Sequence, residues 1–155
     1  MERRLTEEQT TKSIIRWLIN NGWEIIAFDF PQSGTGRCLH PKNTDSKTEG
    51  IWIPDIIAYK NTKLLFFENK DRCVLKDFEK VSNLKSTDAY LDAINEITRG
   101  YGYTNIFYGI GFPHNEKEIE KAFENISDID FLVCAVDQDN AIAVYDPNFV
   151  FSVNT

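Results

Sequence analysis

The sequence predicts an α/β fold in which helices flank a mixed β-sheet. Three observations support this prediction. Segments with apolar residues at helical spacing alternate along the chain with short apolar runs that are typical of strands. The chain has 155 residues and is 42% hydrophobic, which suffices for the core of one domain. Neither a repeat nor a low-complexity segment interrupts it, so residues 1–155 are expected to form a single domain.

The first helix is predicted to begin at Thr6, because Thr6 and Gln9 have the spacing of a capping box. Apolar residues then recur at helical spacing until Asn20-Asn21-Gly22, which is a helix stop signal. A strand is predicted over residues 23–30, before Pro31. Residues 31–50 are polar and rich in turn formers, and a loop of this length in a small domain is typical of a functional or disordered segment.

A β-hairpin is predicted next, with strands over residues 51–59 and 64–70. The helix that begins after Asn115 has a buried stripe composed of Ile119, Ala122, Phe123 and Ile126. The element order is αβββα(α)βαββ, which indicates a mixed sheet. The other predicted elements are helices over 75–84 and 87–98, a strand over 106–112, and a final hairpin with strands over 131–136 and 141–145.

The turn of the first hairpin fixes which residues face each other. If Asn61-Thr62 is the turn, Lys60 pairs with Lys63 and Asp55 lies directly opposite Glu68. Directly opposed residues share a face of the sheet, with Cβ atoms about 5 Å apart. A slip of one residue would send Glu68 to the other face, so this prediction depends on the register.

Lys70 is expected on the same face as Glu68, because side chains alternate along a strand. Two carboxylates as close as Asp55 and Glu68 raise a pKa unless a cation lies between them. Mg²⁺ suits this position, since it takes oxygen ligands and keeps waters for a substrate phosphate. Lys70 would then orient or deprotonate the attacking water, or steady the charge of the phosphate.

Pro54-Asp55, followed by Glu68-Asn69-Lys70 on the next strand, resembles the signature of the PD-(D/E)XK nucleases, the restriction-endonuclease-like superfamily. The resemblance covers residues 6–112, including the αβββαβ order of that family's core. It implies hydrolysis of phosphodiester bonds with Mg²⁺, for which Mn²⁺ substitutes. Asp55 and Glu68 would bind the metal, Asn69 would add its backbone carbonyl, and Lys70 would attend the attacking water.

Many members of this family add an acidic residue from the first helix to the metal site. Glu8 matches that position best, because residues 8, 11, 15 and 18 lie on one face of the helix. Glu7 is the alternative.

The net charge of −7 is unevenly distributed. Residues 1–85 contain 14 Lys and Arg against 12 Asp and Glu, whereas residues 86–155 contain 3 against 12. A DNA-facing side in the first part is therefore compatible with the charge. In the 31–50 loop, the candidate DNA contacts are the backbone at Ser33 and the side chains of Arg37, Lys42 and Lys47.

The resemblance implies an endonuclease that acts on double-stranded DNA, either a small type II restriction endonuclease or the cleaving subunit of one. One metal site cuts one strand, so a homodimer or a heterodimer with a larger recognition subunit is expected. The hairpin also resembles that of Holliday-junction resolvases, although the acidic residues 86–155 disfavour the broad basic face that a junction needs. A third reading is a non-catalytic DNA-binding or assembly module, which has no need of three clustered charges.

A cytoplasmic protein without a membrane segment is expected. The apolar runs are too short to span a bilayer, and the first residues lack the apolar stretch of a signal peptide. The three cysteines have no CxxC spacing, which fits a reducing compartment better than a disulfide framework.

Overall fold

A six-stranded β-sheet with helices on both faces forms the body of the protein. The computed structural model describes residues 4–30, 33–41 and 50–151. The elements are α1 (Glu7–Asn20), β1 (Glu24–Phe28), β2 (Ile56–Lys60), β3 (Lys63–Asn69), α2 (Leu75–Ser86), α3 (Leu91–Ile97), β4 (Asn105–Pro113), α4 (Glu116–Phe123), a 3₁₀ turn (Ile126–Asp128), β5 (Phe131–Ala135) and β6 (Ala141–Tyr145).

The strands lie side by side in chain order, from β1 to β6. Strands β1, β2 and β3 are antiparallel, β3, β4 and β5 are parallel, and β6 returns antiparallel to β5. The α/β class, the mixed sheet and the predicted order of elements are therefore confirmed. None of the helices within the described residues is long and apolar enough to cross a membrane.

Local sequence signals set both ends of α1. The Thr6 hydroxyl accepts a hydrogen bond from the Gln9 N–H at 3.1 Å, and the Gln9 side chain accepts one from the Thr6 N–H at 3.0 Å. This is the predicted capping box. Gly22 follows the helix with a φ of 86°, a conformation that glycine adopts without strain. Asn115 caps α4 in the predicted way, through a hydrogen bond from the Glu118 N–H.

Several predicted boundaries were wrong. Helix α2 runs two residues further, to Ser86, and α4 ends at Phe123, before Ile126. Strand β2 begins at Ile56 rather than residue 51, because Trp52 pairs with Leu39 in an isolated bridge instead. Strand β1 ends at Phe28, two residues early. Helix α3 begins only at Leu91, since the Thr87 hydroxyl accepts the Ala89 N–H and forms a turn where a helix was expected.

Helix α1 covers one face of the sheet, and α2, α3 and α4 cover the other. The α1 face buries Ile14, Leu18, Trp23, Ile56, Ala58, Leu65, Phe67, Phe131, Val133 and Val150. The opposite face buries, among others, Phe66, Phe78, Val81, Ile94, Ile110 and Phe112. Because Phe66 and Phe67 point to opposite faces, alternation along β3 directs Glu68 toward α2. Phe123, predicted to be buried, is 46% exposed, so the buried side of α4 is narrower than expected.

Two glycines of β4 allow close packing on the α1 face of the sheet. A Cβ atom on Gly111 would lie 2.6 Å from Ile14 Cδ1 and 2.4 Å from Asn69 Oδ1. A Cβ atom on Gly109 would lie 2.2 Å from the Phe131 ring. These separations are far below van der Waals contact, so only glycine fits at both positions.

We predict that Gly109→Ala lowers the free energy of unfolding by about 1–3 kcal/mol, because the new methyl group overpacks the core against Phe131. Urea denaturation followed by circular dichroism measures this loss. Gly102→Ala is the matched control: it places a methyl group in open space, and its effect is expected to stay within about 0.5 kcal/mol. Equal stability of the two variants would contradict the close packing described for β4.

Candidate functional site

The β2–β3 hairpin has the register that its turn predicts. Asn61 and Thr62 both have positive φ, 49° and 68°, as a two-residue hairpin turn requires. Lys60 pairs with Lys63, and the pairing runs without a break to Ile56 and Phe67. The predicted register is therefore confirmed over the whole of β2.

The regular pairing ends at Ile56 and Phe67, so the predicted pair of Asp55 with Glu68 does not form, and Asp55 lies one residue before β2. Its N–H donates to the Phe67 carbonyl at 3.0 Å, and its own carbonyl accepts from the Asp29 N–H at 2.8 Å. The Asp55 side chain turns toward the end of β3, where Oδ2 accepts a hydrogen bond of 2.6 Å from the Asn69 N–H. The Asp55 carboxylate is thus fixed beside the residue that follows Glu68.

Glu68 is 4% exposed and has two partners on the α2 side of the sheet. Its Oε1 accepts a hydrogen bond of 2.6 Å from the Trp52 indole N–H and lies 3.2 Å from Lys80 Nζ. A carboxylate this buried is stable only with such donors around it. Trp52 therefore fixes the orientation of Glu68, and Lys80 offsets its charge.

The Asp55 carboxyl has a strongly raised pKa. Burial, and next the negative charge of Glu68, raise the pKa of the Asp55 carboxyl to about 8. The hydrogen bond from Asn69 and the charge of Lys70 act in the opposite direction, but they are too weak to offset this effect. The charge of Glu68 therefore disfavours ionisation of Asp55, as expected for two carboxyl groups held close together.

Lys70 completes the predicted triad, and it has a partner on α2. Its Nζ lies 3.5 Å from the carboxylate of Asp77, which is largely buried. Burial lowers the pKa of Lys70, but Asp77, Glu68, Asp55 and Glu7 together outweigh it, so the net shift is upward. Lys70 is consequently an ammonium at neutral pH.

The acidic residue of α1 that faces the site is Glu7 rather than Glu8. Burial raises the pKa of Glu7, and the charges of Lys70 and Glu68 also act on it, which places Glu7 beside the cluster. Glu8 instead forms an ion pair with Lys12 at 3.6 Å along the exposed part of the helix. The helix face used to select Glu8 is not the one observed, because Ile14, not Ile15, lies at the centre of the buried face of α1.

Asn69 directs its side chain to the face of the sheet opposite Glu68. Its side chain lies on the α1 side, where Nδ2 donates to Thr11 Oγ1 at 3.2 Å. A contribution of Asn69 to a metal site is therefore restricted to its main-chain carbonyl, as the resemblance implies.

The predicted DNA contacts of the 31–50 loop differ in how far the structure describes and supports them. Ser33 is part of a local turn: its N–H donates to the Phe30 carbonyl at 3.0 Å, and its hydroxyl donates to Asp29 at 3.0 Å. Neither hydrogen is free for a phosphate, so the expected contact through the Ser33 N–H is not supported. Arg37 is exposed to solvent. Lys42 and Lys47 lie outside the described residues.

Sequence reasoning missed three residues that surround the carboxylates, namely Trp52, Asp77 and Lys80. A signal existed for two of them, since Asp77 and Lys80 have the i, i+3 spacing of neighbours on one helix face. They flank the apolar stripe of a helix that starts five residues after Lys70. Trp52 had no such signal, because it reaches Glu68 only through the Leu39 bridge that positions it.

The donors present suit a hard divalent cation. Within residues 4–30, 33–41 and 50–151, no three His, Cys, Asp or Glu side chains form a group able to hold a metal ion by themselves. Asp55 and Glu68 supply two carboxylates, and a cation between them would oppose both the burial and the charge of Glu68 that raise the pKa of Asp55. With the Asn69 carbonyl, this is an all-oxygen donor set of the kind that Mg²⁺ prefers.

No protein-family model, curated protein or solved structure matches the chain. The likeness to PD-(D/E)XK nucleases therefore rests on the residues and geometry given above.

We predict that Asp55→Asn stabilises the metal-free protein, and more so at pH 8 than at pH 5. The folded state of the wild type holds the Asp55 proton up to about pH 8, whereas the unfolded chain releases it near pH 4. The stability of the wild type thus falls as the pH rises between these values, and asparagine removes this loss. In EDTA at pH 8 we expect an increase in Tm of at least about 3 °C.

Thermal unfolding at both pH values measures this difference, with Glu120→Gln on the exposed side of α4 as the control. An increase that is the same at pH 5 and pH 8 would show that Asp55 does not titrate in this range.

We predict that Lys80→Met tightens the binding of Mn²⁺ by about three- to tenfold. The Lys80 ammonium offsets the charge of Glu68 and must give way when a cation binds there. Solvent screens part of this effect because the Lys80 side chain is 45% exposed, which keeps the expected gain small. Titration of Mn²⁺ followed by electron paramagnetic resonance gives the affinity.

Lys76→Met is the matched control, because Lys76 is an exposed lysine one turn earlier on α2. Weaker Mn²⁺ binding by Lys80→Met would mean that Lys80 supports the cation site instead of competing with it.

Proposed function

We propose that this chain is a Mg²⁺-dependent DNA endonuclease of the PD-(D/E)XK type. The observation that carries the proposal is the β2–β3 hairpin, which brings the Asp55 side chain to the end of β3 beside Glu68 and Asn69, with Lys70 directly after that strand. The order of elements through β4 is that of the family's core, which also supports it.

In this proposal Asp55, Glu68 and the Asn69 carbonyl hold the cation, with Glu7 available from α1. When bound, Mg²⁺ would supply Lewis-acid activation of the attacking water and stabilise charge on the phosphate. Trp52 keeps the Glu68 carboxylate oriented through its indole N–H. The Asn69 N–H does the same for Asp55.

Lys70 acts as a donor in this proposal. Its raised pKa keeps Lys70 an ammonium at neutral pH in the site without a cation, so we assign it the role of a donor. It orients the attacking water and stabilises the negative charge that develops on the phosphate. Asp77 holds it in place from α2.

We propose double-stranded DNA as the substrate, and a small restriction endonuclease, or the cleaving subunit of one, as the biological setting. The acidic composition of residues 86–155 favours this setting over junction resolution, because a junction resolvase needs a broad basic face. One site cuts one strand, so cleavage of both strands requires a second copy or a larger partner subunit.

We predict that purified protein cleaves plasmid DNA with Mg²⁺ or Mn²⁺ but not in EDTA. Glu68→Gln should lower the rate at least about a hundredfold, because a neutral amide binds the cation poorly while still accepting the Trp52 hydrogen bond. Lys70→Met should cause a similar loss through the missing charge. Gel assays with plasmid and four-way junction DNA, with and without a co-expressed larger subunit, measure these rates.

Lys60→Met is the control for these variants, since Lys60 lies at the turn end of the same hairpin, where it donates to the Asn21 carbonyl. Discrete plasmid fragments would favour restriction, and selective cutting of the junction would favour resolution. If neither DNA is cut under any condition by a folded protein, the nuclease proposal fails and the non-catalytic module takes its place.

A further inference from the structure

A cavity of about 620 Å³ lies between α2 and residues 50–52, and it shares a wall with the candidate site. Trp52 and Lys80 line this cavity, and the same two side chains contact Glu68. A molecule in the cavity would therefore lie one side chain away from the catalytic carboxylate.

The lining of the cavity combines apolar and aromatic side chains with cations. Ile51, Leu84 and Tyr90 provide apolar surface, and Tyr90 is held in place by a hydrogen bond from its hydroxyl to the Gly50 carbonyl. Trp52 is 3% exposed with its N–H already used by Glu68, so it supports the Tyr90 ring at a centroid separation of 5.7 Å rather than offering a free face.

Two lysines and one glutamate of α2 complete the lining: Lys76, Glu79 and Lys80. Two ammonium groups therefore lie beside an apolar and aromatic wall, one of them, Lys80, also paired with Glu68. A nucleotide has the complementary chemistry, since its base stacks on aromatic rings and its phosphate pairs with lysines. The volume lies within the range of pockets that enclose a ligand of that size.

We propose that this cavity holds one unpaired nucleotide of the DNA strand that the enzyme cuts, with its base against Tyr90 and its phosphate toward Lys76 and Lys80. This inference rests on the proposed nuclease function and specifies its substrate. Bases within a duplex stack on one another, so only a base outside the stack reaches a ring inside a cavity. The preferred substrate is therefore DNA with an unpaired nucleotide next to the scissile phosphate, such as a tail, a flap or a frayed end.

Binding in EDTA tests the cavity separately from cleavage. Two DNAs of the same sequence carry 2-aminopurine at one position, which is paired in a full duplex and unpaired in a duplex with a short tail. We expect the wild type to bind the tailed DNA about tenfold more tightly and to quench the fluorescence of the unpaired 2-aminopurine. Equal affinity for the two DNAs, without quenching, would overturn the proposal.

Variants of the cavity wall identify the site of binding. Thr87→Trp fills the cavity from an exposed position, and Tyr90→Ala removes the ring, so both should abolish the preference for the tail. Tyr90→Phe keeps the ring and should retain the preference, which separates loss of stacking from loss of folding. Tyr101→Ala is the control, because Tyr101 packs on Tyr59 outside the cavity. A preference that survives Thr87→Trp would overturn the proposal.

Two further outcomes are informative. Tail preference that depends on the cavity wall, in a protein that cuts no DNA with Mg²⁺, would uphold the nucleotide site and refute the nuclease. Displacement of the tailed DNA by a free nucleoside monophosphate of equal affinity would overturn the proposal in favour of a small-molecule site.

Discussion

Repulsion between the Asp55 and Glu68 carboxylates is the interaction around which the rest of the candidate site is arranged. The β2–β3 hairpin holds the two groups near each other in a largely buried corner, where burial and the charge of Glu68 raise the pKa of Asp55. The surrounding groups offset the repulsion in part. Lys80 and Trp52 contact Glu68, and the Asn69 N–H donates to Asp55. A site of this kind is stable because the remaining core holds it, not because its own charges are balanced.

Helix α2 links the core to the site. Phe78 and Val81 pack against the sheet, while Asp77 and Lys80 on the same helix contact Lys70 and Glu68. The apolar packing thus determines where the ion pairs form, since a rotation of α2 that buried other residues would separate both pairs. The same helix lines the cavity beside Glu68, so in our proposal nucleotide binding and the charge of the site are connected through α2.

Much of the fold could be predicted because its signals are local. The capping box, the Asn61-Thr62 turn and the order of elements follow from neighbouring residues, and the hairpin register follows from the turn alone. Features that depend on distant segments were not predictable. The choice of Glu7 over Glu8 depends on the rotation of α1 about its own axis where it packs against β4. The hydrogen bond from Trp52 to Glu68 depends on the bridge between Trp52 and Leu39.

The two-residue turn of the β2–β3 hairpin also bears on the order in which the protein folds. The hairpin closes a very short loop, whereas β3 meets β4 only after the crossover of residues 70–104 is in place. Local pairings form before distant ones because the entropy of loop closure is smaller. We therefore expect Asp55 and Glu68 to come together before α2 packs and places Lys80 beside Glu68. The nascent hairpin would then carry its repulsion unscreened, so salt that screens charge should accelerate folding of a chain whose net charge is already −7.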